Sequence, residues 1–438
     1  MAYIMKRIFY ILLVFSTAVY SQDNVLTIEQ CLKIGLENSR EIKISESKLT
    51  SSDAKITEAG SGMLPKITSS AGYYWLSEAP VKFNIPLPGL GTATDPVNAF
   101  MANVSIQQPL FTGFRLTSLK SSAELNYKAE EFENIKAVSD KALEIHQSFW
   151  NLYKAQKVVQ LTEASYKAVK GHIRDTENFL KNGMAIESDL LKLKVHEANM
   201  EMKFIEAKNM HEIAKAALNK SIGADINQDT KVEFNKNPMG SEYNTFDTLL
   251  TSALKNRSEL QSLYYRKEAG NEFVSVAQAD WWPQMFASAG LYYLNVNSAI
   301  PMIANQENSF WNVGVSLQWD IWDWGKRSSK VAQAEQGVFQ TELLIEQIKE
   351  AVKLEVYKNY LQLESEQAKI TAGRLAVKAS MENYRVIKNR YAQHLATGTD
   401  IVDAQTELLS SQVALENATA DYKVAEAALN KSIGKRID

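Results

Sequence analysis

The octapeptide Ala216-Ala-Leu-Asn-Lys-Ser-Ile-Gly223 recurs letter for letter as Ala427 to Gly434, an offset of 211 residues. At the same offset Ser188-Asp189 stands opposite Thr399-Asp400. Nearer the front of each half the offset is 218: Thr27, Leu32, Leu36, Asn38, Glu41 and Pro65 match Thr245, Leu250, Leu254, Asn256, Glu259 and Pro283. Ser70-Ala71-Gly72 likewise matches Ser288-Ala289-Gly290. The second copy is therefore seven residues shorter, the loss falling opposite residues 75–105 of the first. One supersecondary unit is used twice, over residues 22–223 and 245–438, with a linker over 224–244.

Proline placement says what that unit contains. The nine prolines stand at 65, 80, 86, 88, 96, 109, 238, 283 and 301, so residues 110–237 and 302–438 have none. Because proline costs about 3 kcal/mol inside a helix, these stretches suit very long helices. Gly113 to Asn182 and Gly325 to Leu395 read as helices of roughly 70 residues, each reaching about 100 Å. Ile135, Val138, Ala142, Ile145, Phe149 and Leu152 recur at 3-4 spacing, the mark of a coiled-coil seam. Turns at Lys181-Asn182-Gly183 and Thr397-Gly398 reverse the chain into returning helices over 188–222 and 399–433. A shorter helix opens each copy, over 26–60 and 245–280.

Between the opening helix and the long one, each copy holds two alternating strands of about 10–12 residues. Ile67, Ala71, Tyr73 and Trp75 oppose Lys66, Thr68, Ser70 and Gly72, and Phe100, Ala102, Val104 and Ile106 oppose Asn103, Ser105 and Gln107. The last strand sets Trp311, Val313, Val315, Leu317, Trp319 and Ile321 against Asn312, Gly314, Ser316, Gln318 and Asp320. Such alternation usually means a soluble sheet with one face on a core. Here seven of the eight tryptophans (Trp75, Trp281, Trp282, Trp311, Trp319, Trp322 and Trp324) lie in or beside the strands, as the aromatic girdles of a membrane barrel require. The opposite faces are Gly, Ser, Asn and Gln, suited to a wet lumen, and the loops near 78–98 and 296–309 suit an exposed side. Four strands cannot close a membrane barrel, for which about eight is the minimum. Several chains must share one.

Lys6 and Arg7 precede an apolar run from Ile8 to Val19 that ends in Ala18-Val19-Tyr20-Ser21. That pattern is a secretory signal over residues 1–21, too short to span a bilayer. Its removal changes the formal charge from −3 to −5. The near balance of 48 Lys+Arg against 51 Asp+Glu leaves no footprint for nucleic acid. A single cysteine, Cys31, excludes internal disulfides and cysteine-built metal sites, and reads as a small packing residue. His146, His172, His196, His211 and His394 are scattered and read as solvent-facing helical residues. Gly89-Leu-Gly91 lacks the third glycine of a phosphate loop. No nucleophile–base pair or cofactor motif is visible, and no enzyme is expected.

The tandem repeat, the run Thr27-Ile-Glu-Gln-Cys-Leu-Lys-Ile-Gly-Leu-Glu-Asn38 and the segment Gln108-Pro-Leu-Phe-Thr-Gly113 together resemble the TolC-like outer-membrane efflux proteins of Gram-negative bacteria. The resemblance runs from Leu26 to Gly434. It implies a mainly α fold with a transmembrane β-barrel portion: a homotrimer in which four strands per chain build one twelve-stranded barrel above a periplasmic helical tunnel. It also implies a passive conduit, docked by a periplasmic adaptor and an inner-membrane pump of the RND or ABC type. Asp400 and Asp403, at i, i+3 after the second tip, match the family's paired entrance aspartates. In a trimer they would gather six carboxylates into a cation-attracting constriction. The first copy offers Asp189 but Lys192 at the corresponding places. Acidic residues in a first helical turn also simply favour the helix dipole.

The tips Gly183, Ser188, Asp189, Thr397, Gly398 and Thr399 occupy the family's adaptor-docking position, although Asn182-Gly183-Met184-Ala185 has no hydroxyl directly after its glycine. The alternative reading is a periplasmic coiled-coil adaptor. It accounts for long hairpins but poorly for four aromatic-rimmed strands.

Overall fold

The computed structural model describes residues 25–76, 97–234, 245–297 and 306–437. The leader, Gly89-Leu-Gly91 and most of both loop segments lie outside the described residues. In chain order the elements are β1 (Val25–Leu26), α1 (Ile28–Asn38), α2 (Arg40–Ser61), β2 (Lys66–Leu76), β3 (Val97–Phe111), α3 (Arg115–Lys181) and α4 (Glu187–Ile222). The second half follows with β4 (Lys231–Val232), α5 (Phe246–Asn256), α6 (Ser258–Gln278), β5 (Gln284–Asn297), β6 (Gln306–Gln318), α7 (Lys326–Ala392) and α8 (Gly398–Ser432). A single 3-10 turn, Ala279–Trp281, precedes β5.

Each opening helix is broken where the sequence suggests continuity. Ser39 takes an extended ψ of 123°, and its hydroxyl caps the next helix by accepting from Ile42 N at 3.3 Å. Arg257 breaks the second copy in the same way, at ψ 126°. A capping box starts α1: Gln30 N donates to Thr27 Oγ1 at 3.4 Å, and Thr27 N donates to Gln30 Oε1 at 2.9 Å.

The chain divides into two compact units. One comprises the described residues up to Lys43, Lys136–Arg257 and the described residues from Ala351; the other comprises Ile44–Ile135 and Ser258–Glu350. The first has a core in which Cys31, Leu32, Ile145, Phe149, Trp150, Leu152, Leu218 and Ile222 are all at most 6% exposed. Truncating one of its buried aromatic residues would cost about 3–5 kcal/mol. Cys31 packs as expected. The described end of the linker is also tied down, since β4 pairs in parallel with β1 (Val25 with Lys231, Leu26 with Val232).

The identical octapeptides end in the same device. Gly223 and Gly434 adopt φ of 74° and 73°, and a Cβ on them would stand 2.8 Å from Asn38 Cβ and 2.7 Å from the Asn256 backbone. Glycine closes α4 and α8 because only glycine adopts that φ without strain and leaves room for the matching asparagine. The expected seam holds at Ala142, Ile145, Phe149 and Leu152, none above 2% exposed, but not at Ile135, which is 49% exposed. The core residues that cover the seam meet α3 only from Ala142 onward.

In the second unit the strands form one antiparallel sheet in the order β2-β3-β5-β6. They run 11, 15, 14 and 13 residues, the first within the expected range of about 10–12 and the other three longer. Pro109 cannot donate to the ladder, and the β3–β5 register shifts between Pro109 and Phe111. Helix α6 packs beside α3: Phe132 stacks on Tyr265 at 5.6 Å, and Ser122 Oγ donates to Ala269 O at 3.1 Å.

Candidate functional site: a two-faced sheet and a helical tip

Register fixes the two faces of the sheet. Ile67, Ala71 and Tyr73 pair with Ile106, Ala102 and Phe100, while Val104 pairs with Leu291, itself opposite Trp311. On this face Ile67, Tyr73, Trp75, Trp311, Val313, Val315 and Leu317 are 61–76% exposed. The other face bonds through side chains: the Thr68 and Ser105 hydroxyls meet at 2.9 Å, and Ser70 donates to Asn103 Oδ1. Gly290, Asn312, Gly314 and Ser316 continue it. One side is chemically suited to hydrocarbon and the other to water. Among the described residues no helix is long and apolar enough to cross a membrane.

Two of the seven tryptophans lie within that sheet and five lie beside it. Trp75 and Trp311 project from the apolar face. Trp281 and Trp282 precede β5, and Trp319, Trp322 and Trp324 follow β6. The sequence pattern placed Trp319 and Ile321 within the strand, yet β6 stops at Gln318. Its partner β5 begins at Gln284, directly after Pro283, so no ladder partner remains. Trp319 instead donates through Nε1 to Trp281 O at 3.3 Å, and the Arg327 guanidinium lies 4.6 Å from the Trp281 ring. At the strand-to-helix junction, Asp280 takes an ion pair from Arg115 of α3 and another from Lys330 of α7 at 2.9 Å.

At the tip, Asp400 occupies the third position of a second capping box. Its Oδ2 accepts from Thr397 N at 2.7 Å and Thr397 Oγ1 at 2.8 Å, and Asp400 N donates to Thr397 Oγ1 at 3.2 Å. Those bonds, backbone first, hold its carboxyl below the usual range. Asp403 is exposed one turn on, with His196 of α4 close enough to feel its charge. Lys192 Nζ donates to Thr399 Oγ1 at 3.4 Å.

The turn chemistry differs between the tips. Gly183 has φ 70°, but the left-handed residue of the second tip is His394 at φ 62°, not Gly398. Leu395 N reaches Arg390 O at 2.8 Å just as Met184 N reaches Phe179 O at 2.8 Å, so the same helix stop is built without glycine. Gly398 starts α8 and is buried, and a Cβ on it would stand 3.6 Å from Asp189 Cβ. The His394 ring meets Phe179 edge-on at 4.3 Å, an aromatic contact that offsets the backbone cost.

The histidines do not all face solvent. His172 is 5% exposed and His146 9%. His172 Nε2 is 3.1 Å from the Tyr384 hydroxyl, and its ring packs edge-to-face on Tyr384 and Tyr391 at 6.3 and 6.1 Å. Thr176 and Tyr391 share a hydroxyl hydrogen bond, and Phe179 meets Tyr391 at 5.9 Å. This ladder joins the ends of α3 and α7. Its sequence signal is polar and aromatic residues at helical spacing on both: 172, 176 and 179 against 384, 391 and 394.

The family model for the outer membrane efflux protein matches this chain twice, over residues 32–224 and 249–435. The chain belongs to that family. As a member of the outer membrane efflux proteins it is an outer-membrane efflux channel, its strands in the membrane and its helices in the periplasm of a Gram-negative bacterium, and not an adaptor. It is similar to the outer membrane efflux protein BepC of Brucella suis, 21% identical over 413 residues that cover 93% of this chain and 85% of BepC. The alkaline protease secretion protein AprF of Pseudomonas aeruginosa is 22% identical over 341 residues, 76% of this chain and 69% of AprF. Among solved structures, the outer membrane protein VceC of Vibrio cholerae superposes with a TM-score of 0.75 at 17% identity, covering 93% of this chain and 96% of VceC.

Proposed function

We propose that three copies join edge to edge, β6 of one beside β2 of the next, to form a single twelve-stranded barrel that conducts solutes passively outward. The observation that carries this is the open sheet. Its two end strands, of 11 and 13 residues, have no neighbour on one side among the described residues, and its apolar face is bare. Unpaired backbone cannot face lipid, so the edges must be closed by other copies. The helices support the same occupant. Leu191, Val195, Met202 and Ile205 form a stripe on α4 that is 56–63% exposed, and Leu354, Leu361 and Leu375 form another on α7 at multiples of seven residues. Leu375 lies two heptads beyond Leu361, with Ala368 between them, and such stripes suit knobs-into-holes packing between copies. Each half of the repeat then supplies two staves and one helical hairpin.

At the entrance Asp403 supplies a freely exposed carboxylate and Asp400 a capped one, three of each around the axis. The tips at Gly183, Ser188, Asp189, Thr397, Gly398 and Thr399 receive a periplasmic adaptor that couples the conduit to an inner-membrane pump. Energy comes from that pump, so no catalytic group is needed in this chain. The test begins with detergent extraction of outer-membrane fractions. A heat-sensitive trimer that conducts in planar bilayers supports the proposal, and a water-soluble monomer refutes it. Asp400→Ala combined with Asp403→Ala is expected to raise conductance and weaken block by multivalent cations. Unchanged conductance and block would remove the gate while leaving the channel.

A further inference from the structure

The water-facing side of the sheet is not uniformly polar. Across the four strands its rows run Lys66–Gln107–Ser288–Gly314, then Thr68–Ser105–Gly290–Asn312, then Ser70–Asn103–Tyr292–Phe310, then Gly72–Met101–Leu294–Asn308, with Tyr74 opposite Ala99 beyond. The first two rows hold no large apolar side chain. The rows farthest from the long helices hold Tyr292, Phe310, Met101, Leu294 and Tyr74. Tyr74 and Phe310 are each 52% exposed and Met101 47%. Apart from Pro109 and Phe286 in the row nearest the long helices, the rest of this face is Lys66, hydroxyls, amides and glycine, so the outer rows change its chemistry.

The rings are held in a particular attitude. A Cβ on Gly72 would stand 2.9 Å from the Tyr74 ring, and one on Gly290 would stand 2.6 Å from the Tyr292 ring. Each tyrosine therefore lies back along the wall over the glycine two residues before it. The pairs Gly72/Tyr74 and Gly290/Tyr292 are related by the 218-residue offset of the repeat, so both halves build the same feature. Phe310 stacks on Tyr292 at 5.0 Å with 10° between ring planes. Rings laid flat present their faces, and faces attract planar apolar surfaces and cations. Covering the glycines would explain the tyrosines alone. It does not explain Phe310 or Met101, which cover none.

We infer that Tyr74, Met101, Tyr292, Leu294 and Phe310 form a cargo-binding collar near the outer end of the lumen that takes planar aromatic solutes, cationic ones included. The inference rests on the proposed trimeric barrel, in which each side chain appears three times around the axis. A solute leaving the polar lower wall meets six tyrosine faces before release. Stacking on each face contributes a sequence of weak, reversible contacts, which slows passage of planar aromatics without trapping them.

Single-channel recording of the full-length trimer in planar bilayers tests it, with ethidium as the planar aromatic cation and tetraethylammonium as the non-aromatic control. Ethidium is expected to produce current blocks in the native channel that shorten about tenfold in Tyr292→Ser with Phe310→Ser, whereas tetraethylammonium is unaffected by the substitutions. Phe310→Leu, which keeps apolar volume but removes the ring, separates loss of stacking from poor folding and should also shorten them. Tyr74→Phe keeps the face and should leave them unchanged. Ethidium blocks that persist in conducting Phe310→Leu and double-serine channels would overturn the collar alone. A native chain that forms no conducting pore would overturn the barrel and the collar together.

Discussion

His172 on α3 lies 3.1 Å, through Nε2, from the hydroxyl of Tyr384 on α7, with its ring wedged against Tyr391 two turns nearer the tip. Two residues 212 positions apart, on different helices, are thereby joined by a titratable group buried to 5% exposure.

That burial, with Lys388 of α7 adding to it, holds the His172 imidazole below its ordinary value of 6.5 despite the opposing charge of Asp175 on α3; His196 of α4 also disfavours the cation. The sign follows from linkage. An unfolded or opened tip takes the proton first, so the ladder is at full strength above pH 6.5 and weakens as pH falls through the folded-state value. Protection factors in residues 168–180 and 384–392 of the trimer, with the intrinsic base-catalysed rate divided out, should fall on going from pH 7.5 to 5.5. His172→Gln should flatten that dependence, and an equal loss of protection in native and variant chains would exclude His172 as its source.

Gly223→Ala and Gly434→Ala place a methyl group at a positive φ and within 2.8 Å and 2.7 Å of Asn38 and Asn256. Each should cost about 1–3 kcal/mol. Gly434→Ala should be the worse, because three Asn256 atoms lie within 2.9 Å of the new methyl there against one Asn38 atom at Gly223. Urea titration of the helical signal in detergent gives the order.

Thr397→Ala removes the hydroxyl that accepts from Asp400 N and donates to its carboxylate. The expected loss is about 1 kcal/mol at the start of α8, with the Asp400 carboxyl moving back up toward the ordinary range. Carboxylate titration by NMR or infrared difference spectroscopy would register the move. An unchanged Asp400 titration would mean that the Thr397 hydroxyl does not share in lowering it and that the backbone N–H does.

Cys31 is fully buried, and burial, aided by Glu29, pushes its thiol up to about 12. A thiol so placed offers almost no thiolate at neutral pH. The folded protein should resist maleimide labelling for hours and react within minutes in denaturant. Rapid labelling of the native trimer would show that the core around Leu32 and Phe149 opens readily.

Much of this molecule is legible in its order of residues. The duplicated octapeptide, the proline-free stretches and the alternation around Ile67–Trp75 and Trp311–Leu317 set the helices, the strands and the sidedness of the sheet. Local period suffices for that, because 3.6 and 2 residues per repeat dictate which side chains share a face. Period cannot say what lies opposite. The order β2-β3-β5-β6 joins the halves through pairs such as Ala102 and Tyr293, nearly two hundred residues apart. The burial of His172, the glycine-free stop at His394, the exposure of Ile135 and the early end of β6 at Gln318 all depend on a neighbour brought in from elsewhere in the chain. Each was settled by packing or by a missing ladder partner, quantities that exist only once distant segments meet.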